Sequence, residues 1–265
     1  MTTDWKGSAQ RFFEDRAEIV PGVPSSDELC FISGRDPRLW RHAALYDDMI
    51  DSIVRQADLS GDTDLLEVGC AAGFLARGLA GRVRHYVGVD MAEEPLRVAA
   101  RLGLPRAEFR HEEGGRLSFQ SGRFDRVVSY DMMTNVPRME TVATIVKDMV
   151  RVVKPGGRVM VGSIPDEASR EAYQEVVKAV GADLDARYGP VPPAQPKPRW
   201  RMPSRWLGAL WPSRVEPGIV CYYFSKQAFL SLGREMGVAT VIHEIHAMNP
   251  YRGYRFNVVY TKSTA

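Results

Sequence analysis

Two short stretches of this 265-residue chain combine residue types that could do chemistry. In the first, Leu65-Leu66-Glu67-Val68-Gly69-Cys70-Ala71-Ala72-Gly73, an apolar run leads into a turn with small residues at alternate positions. Without Cβ atoms, Gly69 and Gly73 let a ligand approach the backbone closely. A helix starting beyond the turn adds free N–H groups and partial positive charge, suited to a carboxylate or phosphate. Many α/β folds carry such a turn, so its neighbours must decide what it holds. A dinucleotide fingerprint needs Gly or Ala three residues after the middle small residue. Counted from Ala71, that position is Phe74, and the Gly-Lys-Ser/Thr of a P-loop is absent. Nicotinamide and ATP are both disfavoured. The second stretch, Val87-Gly88-Val89-Asp90-Met91, places a carboxylate where a strand should end. Such a carboxylate can accept hydrogen bonds from both hydroxyls of a ribose, and Met91 can pack on an adenine face.

These residues need a scaffold, and the surrounding pattern supplies one. Strands are expected at Leu65–Val68, Tyr86–Val89, around Phe109, at Phe124–Val128 and at Arg158–Ile164. Helices are expected at Pro37–Ala57, Gly73–Leu79, Glu93–Leu102 and Met139–Val153, the last stopped by Lys154-Pro155-Gly156-Gly157. That alternation predicts βαβ units and a mainly parallel sheet, with ligands beyond the carboxyl ends of the strands. Residues 1–60 read as polar, turn-rich sequence leading into the 37–57 helix. The pattern breaks near residue 189 in sequence rich in proline and tryptophan. It resumes with a helix capped by Ser225, a strand over Val238–Met248, a turn at Asn249–Gly253 and a last strand over Arg255–Lys262. One elaborated domain with an inserted lid is the simplest reading.

Four stretches at this spacing resemble the class I SAM-dependent methyltransferases, where SAM is S-adenosyl-L-methionine. The likeness is to the small-molecule branch that includes quinone-biosynthesis methyltransferases. They are Leu66–Gly73, Val89-Asp90-Met91, Gly122-Arg123-Phe124-Asp125-Arg126-Val127-Val128 and Val152-Val153-Lys154-Pro155-Gly156-Gly157. The resemblance implies a Rossmann-like α/β fold. Its sheet would be mainly parallel and seven-stranded, with helices on both faces and an antiparallel last strand. A helical cap would occupy 1–60, and the SAM-binding domain 61–265 with a lid inserted at about 166–220. By the same resemblance Glu67, Gly69, Ala71 and Gly73 line the methionine end of SAM, and Asp90 holds the ribose. Met91 flanks the adenine, either Glu112 or Glu113 lies near the adenine amino group, and Ser129 faces the methionine. Ala71 departs from the family's usual glycine, and its methyl narrows the space near the ligand.

Methyl transfer from a sulfonium is an in-line displacement that demands alignment, exclusion of water and, for a protonated acceptor, removal of a proton. Asp131, after the fourth strand, and His246, near the end of the Val238–Met248 strand, are the candidate bases. For His243 and His246 the bland alternative is a hydrogen-bonded strand histidine. The Asn/Asp-Pro-Pro-Tyr/Phe motif of enzymes acting on amino groups of nucleic-acid bases is missing after the fourth strand, and Asn249-Pro250-Tyr251 reads as a turn. The stretch Lys197–Trp211 interleaves arginines with tryptophans. It could cap an acceptor pocket, rest weakly on an anionic membrane surface through 197–214, stack single-stranded bases, or pack on the sheet edge.

Composition narrows the partners. A formal net charge of +2 is too small for a whole-protein polyanion binder, so nucleic acid is not expected as a partner. Cys30, Cys70 and Cys221 match neither a zinc spacing nor a disulfide framework, and no metal is expected. With no secretory signal or membrane-length apolar run, a cytoplasmic location is expected. The expected function is methylation of a small-molecule or lipid-linked metabolite, at oxygen in preference to nitrogen or carbon. The rivals are a non-catalytic SAM-binding sensor or scaffold and, more distantly, an RNA methyltransferase.

Overall fold

The neighbouring leucines of strand β1 (Asp64–Val68) part company: Leu65 joins one apolar cluster and Leu66 another. Every residue of the strand is buried, as expected of a strand covered on both faces. In the computed structural model, which describes residues 4–190 and 220–264, β1 lies near the middle of a seven-stranded sheet. Its companions are β2 (His85–Asp90), β3 (Ala107–His111), β4 (Phe124–Tyr130), β5 (Val153–Pro165), β6 (Ala239–Glu244) and β7 (Arg255–Thr261). The order is β3-β2-β1-β4-β5-β7-β6. Pairs from β3 across to β5 are parallel, and β7 runs antiparallel to both its neighbours. The chain steps from β1 outward to β2 and β3, then returns to lay β4 on the other side of β1. That reversal opens a crevice beyond the carboxyl ends of β1 and β4, the place where such sheets bind ligands.

Nine helices surround the sheet among the described residues: α1 (Trp5–Ala17), α2 (Ser26–Ile32), α3 (Pro37–Trp40), α4 (Ala43–Ala57), α5 (Ala76–Leu79), α6 (Glu93–Ala100), α7 (Met139–Val152), α8 (Arg170–Tyr188) and α9 (Lys226–Met236). Helix α4 buries Leu45, Met49, Ile50 and Ile53 in the cluster that holds Leu65, Val128 and Met160. Helix α7 presents Val142, Ile145, Val146 and Met149 to the opposite cluster, with Leu66, Val127 and Phe229 of α9. Each such side chain contributes about 1.5–3 kcal/mol on burial, which makes these two faces the main support of the crevice.

Helices occupy the stretch before residue 37, which reads as polar and turn-rich within the expected cap. Asp4 accepts a bond from the Gly7 N–H to start α1, and Ser25 and Glu28 form a reciprocal capping box on α2. The expected 37–57 helix is two helices, because His42 takes an extended conformation that ends α3 and starts α4. Inside the expected lid, residues 170–188 form the 19-residue helix α8. Residues 191–219, with the Lys197–Trp211 stretch and the 197–214 membrane contact, lie outside the described residues. Finally, β6 ends at Glu244, so His246 sits in the connection to β7 and not on the strand.

Candidate active site

The turn after β1 takes its shape from three left-handed residues: Gly69 at φ 82°, Ala71 at φ 44° and Gly73 at φ 83°. Only Ala71 carries a Cβ there, a conformation L-residues resist. Two sets of bonds hold the turn. The Val89 carbonyl accepts from both Gly69 N–H (2.8 Å) and Cys70 N–H (3.0 Å). The Asp90 carboxylate accepts from Ala71 N–H at 2.8 Å through Oδ2 and from Ala92 N–H at 3.0 Å through Oδ1. Asp90 therefore ties the turn to the end of β2 and also lines the crevice. Burial raises its pKa, and the backbone donors oppose that shift.

The crevice is a cavity of about 320 Å³, within the range of small-ligand sites. Of the residues expected at the cofactor, Glu67, Gly69, Ala71, Asp90, Met91, Glu112 and Glu113 line it together. Asp131 lines it as well. Gly73 and Ser129 are not on its wall. Ser129 alternates along β4 with Val128 and Tyr130, and its hydroxyl is buried with no partner. Gly73 instead faces Leu102 and Ala99, which close in on its bare Cα.

The roof and one wall come from the region expected as an N-terminal cap, at residues the sequence pattern did not single out. Helix α1 lays Trp5, Lys6, Ala9 and Phe13 over the cavity, and Lys6 pairs with Glu113. From the loop between α2 and α3, Arg35 adds a guanidinium stacked on the Phe74 ring at 4.5 Å. Its Nη2 meets Asp131 Oδ2 at 2.9 Å, while its Nε is buried without a partner. The capping box Ser25-x-x-Glu28 was a visible signal for α2; Arg35 had none.

Asp131 is held from two sides. Arg255, at the start of β7, reaches Oδ1 at 2.5 Å, opposite the Arg35 contact. Burial pushes the Asp131 carboxyl up, but Arg35 and Arg255, helped by Ser163, outweigh it and hold the pKa below the ordinary value. A carboxylate so stabilised is a weak base, and its geometry suits the fixing of Arg35 at the cavity wall. Glu67 is the opposite case. It is fully buried, and burial raises its pKa to about 7, although the Tyr86 hydroxyl donates to Oε2 and Arg35 lies close.

His246 lies outside the cavity lining and is 2% exposed. Its Nδ1 is 3.2 Å from Asp48 Oδ2, and its Nε2 is 2.9 Å from Asn249 Nδ2. Nδ1 thus donates, Nε2 accepts, and no ring nitrogen is left for another partner. Burial lowers the pKa of His246, and also that of His243 on β6.

Residues 66–161 match the family model described as a methyltransferase domain. Over that stretch, from β1 into β5, the chain is similar to methyltransferase domains. The chain is 35% identical over 51% of its length to a ubiquinone biosynthesis O-methyltransferase of Dechloromonas aromatica, of which the match covers 56%. A Serratia proteamaculans protein of the same name is 27% identical over 74% of the chain and 81% of its own length. The chain spans about half the length of most curated relatives it matches. In structure it is similar to a magnesium protoporphyrin IX methyltransferase from Synechocystis, solved with bound S-adenosylhomocysteine (SAH). The TM-score is 0.57 at 14% identity over 98% of this chain and 100% of the other, a likeness of fold. The family match ends inside β5, so α1–α4, α8, α9, β6 and β7 lie outside it.

Proposed function

We propose that the protein binds SAM in this cavity and transfers its methyl group to a small-molecule or lipid-linked acceptor, at an oxygen atom. The observation that carries the reading is the joint presentation of Asp90 and the Glu67–Ala71 turn to one cavity. A diol-binding carboxylate and a left-handed turn closed by backbone bonds meet there. The residues present fit the group. Asp90 has lone pairs free for two ribose hydroxyls, and Met91 offers a thioether to an adenine face. The unpartnered Nε of Arg35 suits the methionine carboxylate, and the Glu67 carboxyl suits the ammonium. When bound, SAM supplies a methyl group activated by its sulfonium.

The chain's own work is to align and to exclude water. Helix α1 roofs the cavity with Trp5, Ala9 and Phe13, and the Lys6–Glu113 pair ties that roof to the loop after β3. Asp131 holds Arg35 in place from below. Alignment of this kind can supply a large part of the acceleration without a dedicated base. The choice of oxygen as acceptor atom is supported by the relatives named as ubiquinone O-methyltransferases.

The test has two stages. Calorimetry should show SAM binding that is lost or greatly weakened in Asp90→Ala. Incubation of the protein with SAM and a metabolite extract should then yield SAH and a methylated product. Absence of SAM binding would overturn the reading. Binding without turnover on any extract would point to a SAM-binding sensor or scaffold in place of an enzyme.

A further inference from the structure

Tyr86 lies wholly inside the protein on β2, 0% exposed, with its ring beside Phe109 and its hydroxyl donated to Glu67 Oε2. The register of the sheet makes this pair. Strand β2 runs alongside β1, with Leu65 opposite Tyr86 and Glu67 opposite Gly88. The absence of a side chain at Gly88 leaves room for Cys70, whose Sγ would lie 2.8 Å from a Cβ built there. Glu67 thus has one carboxyl oxygen fastened inside the sheet while its residue forms part of the cavity wall. The proposed function above gives Tyr86 no task.

We infer that Tyr86 is a positioning residue which, by holding the Glu67 carboxyl in its ionised form, makes the cavity discriminate SAM from its demethylated product SAH. The inference rests on the SAM-binding reading above. Chemistry supplies the reason. The methionine end of SAM carries a sulfonium, an ammonium and a carboxylate, and so has a net positive charge. Loss of the methyl group converts the sulfonium into a neutral thioether, and the same end of SAH has no net charge. An ionised Glu67 therefore attracts the substrate more strongly than the product, and a protonated Glu67 hardly distinguishes them. In a fully buried site this difference is poorly screened.

The groups around Glu67 make its charge adjustable. On β2, Tyr86 donates to it and Asp90 repels its negative charge; Cys70 of the turn and Tyr46 of α4 are also close. From the loop after α2, Arg35 is the nearby cation that favours ionisation. Burial opposes ionisation and is the largest influence, so the empty site titrates near neutrality, at about 7. Binding of SAM adds positive charge and expels the proton; binding of SAH does so less. Affinity for SAM should then rise with pH through the neutral range while affinity for SAH stays flatter. Product release follows from the same electrostatics, because the charge that holds the ligand falls when the methyl group leaves.

The experiment is calorimetric titration of the full chain with SAM and with SAH between pH 6 and 8.5, in buffers of two different ionisation enthalpies. Wild-type protein should release more protons to buffer on binding SAM than on binding SAH near pH 7, and the preference for SAM should grow with pH. Tyr86→Phe removes the donated bond, so the SAM curve should move about one to two pH units higher. Its SAM affinity should fall about tenfold near pH 7 and begin to recover towards the alkaline end, while SAH, which keeps the ammonium but lacks the sulfonium charge, should weaken clearly less. Glu67→Gln should bind SAM with no pH dependence in this range, and retained SAH binding would show that it is folded. Equal weakening of SAM and SAH by Tyr86→Phe at every pH would mean a merely structural tyrosine and overturn the inference. Equal proton release for both ligands by wild-type protein would overturn it too. A wild-type protein that binds neither ligand would remove the SAM reading itself, and this inference with it.

Discussion

Replacing Ala71 by glycine is expected to leave the protein as stable as before or slightly more so, while the reverse change should be costly at Gly69 and mild at Gly73. All three positions have positive φ in one turn. A Cβ in that region costs about 1–2 kcal/mol, a strain that Ala71→Gly removes. Glycine also frees the unfolded chain, which costs about 0.5–1 kcal/mol. The net gain is therefore about 0–1.5 kcal/mol, and each kcal/mol would raise the melting temperature by about 2–4 °C in a chain of this size. The Asp90 bond is to the Ala71 backbone and survives the change. At Gly69 a Cβ would stand 2.6 Å from Met132 Cγ, near the base of that side chain. Strain and overpacking together should cost about 2–4 kcal/mol. At Gly73 the nearest atom is Leu102 Cδ1 at 2.9 Å, the far end of a flexible side chain. The strain remains there, offset by the stiffer unfolded chain, for a net cost of about 0–1.5 kcal/mol. Urea denaturation with m-values held equal measures all three. A loss above about 1 kcal/mol in Ala71→Gly, or a harmless Gly69→Ala, would refute the reasoning.

Two further substitutions probe the charged groups around the cavity. Asp131→Asn takes the negative charge from between Arg35 and Arg255 and should cost about 3 kcal/mol at neutral pH. The wild-type carboxyl is held below its ordinary pKa, so its contribution is full above the unfolded value and is lost as pH falls through the folded one. Urea midpoints on acidification should therefore converge for the two proteins, and parallel curves would show that the pair contributes nothing. His246→Ala leaves Asp48 and Asn249 without their partner and should cost about 2–3 kcal/mol. Burial lowers the pKa of His246, so the unfolded chain takes up this proton first. The imidazole's contribution is full above about pH 6.5 and declines as pH falls towards the folded value. Turnover measured where the variant is folded should stay within severalfold of wild type. A loss of about a hundredfold or more with SAM binding intact would instead place the imidazole in the reaction.

The parts of this protein that were legible in its sequence are those encoded by near neighbours along the chain. The turn from Glu67 to Gly73 needs small residues where the backbone is left-handed, and Asp90 follows directly on its strand. Short apolar runs marked β1 and β4, 3.6-residue periodicity marked α7, and the seven-stranded sheet with its antiparallel last strand came with the family resemblance. Helix α2 was legible in principle through Ser25 and Glu28, yet at 7 residues it is too short for a periodicity to stand out. Ser129 shows the limit of such reading: a single step along a strand changes the face a side chain occupies. Only the tertiary structure decided the roof and the charge pattern. Lys6 meets Glu113 across 107 positions, Arg35 and Arg255 converge on Asp131 from 96 and 124 positions away, and His246 finds Asp48 across 198. Charged residues are scattered along the whole chain, and nothing local distinguishes a solvated arginine from one that will be buried. Tyr86 and Glu67 show the same in miniature. Glu67 stood out through its turn, but Tyr86 reads as an ordinary strand residue until the sheet register brings its hydroxyl to the Glu67 carboxyl inside the fold.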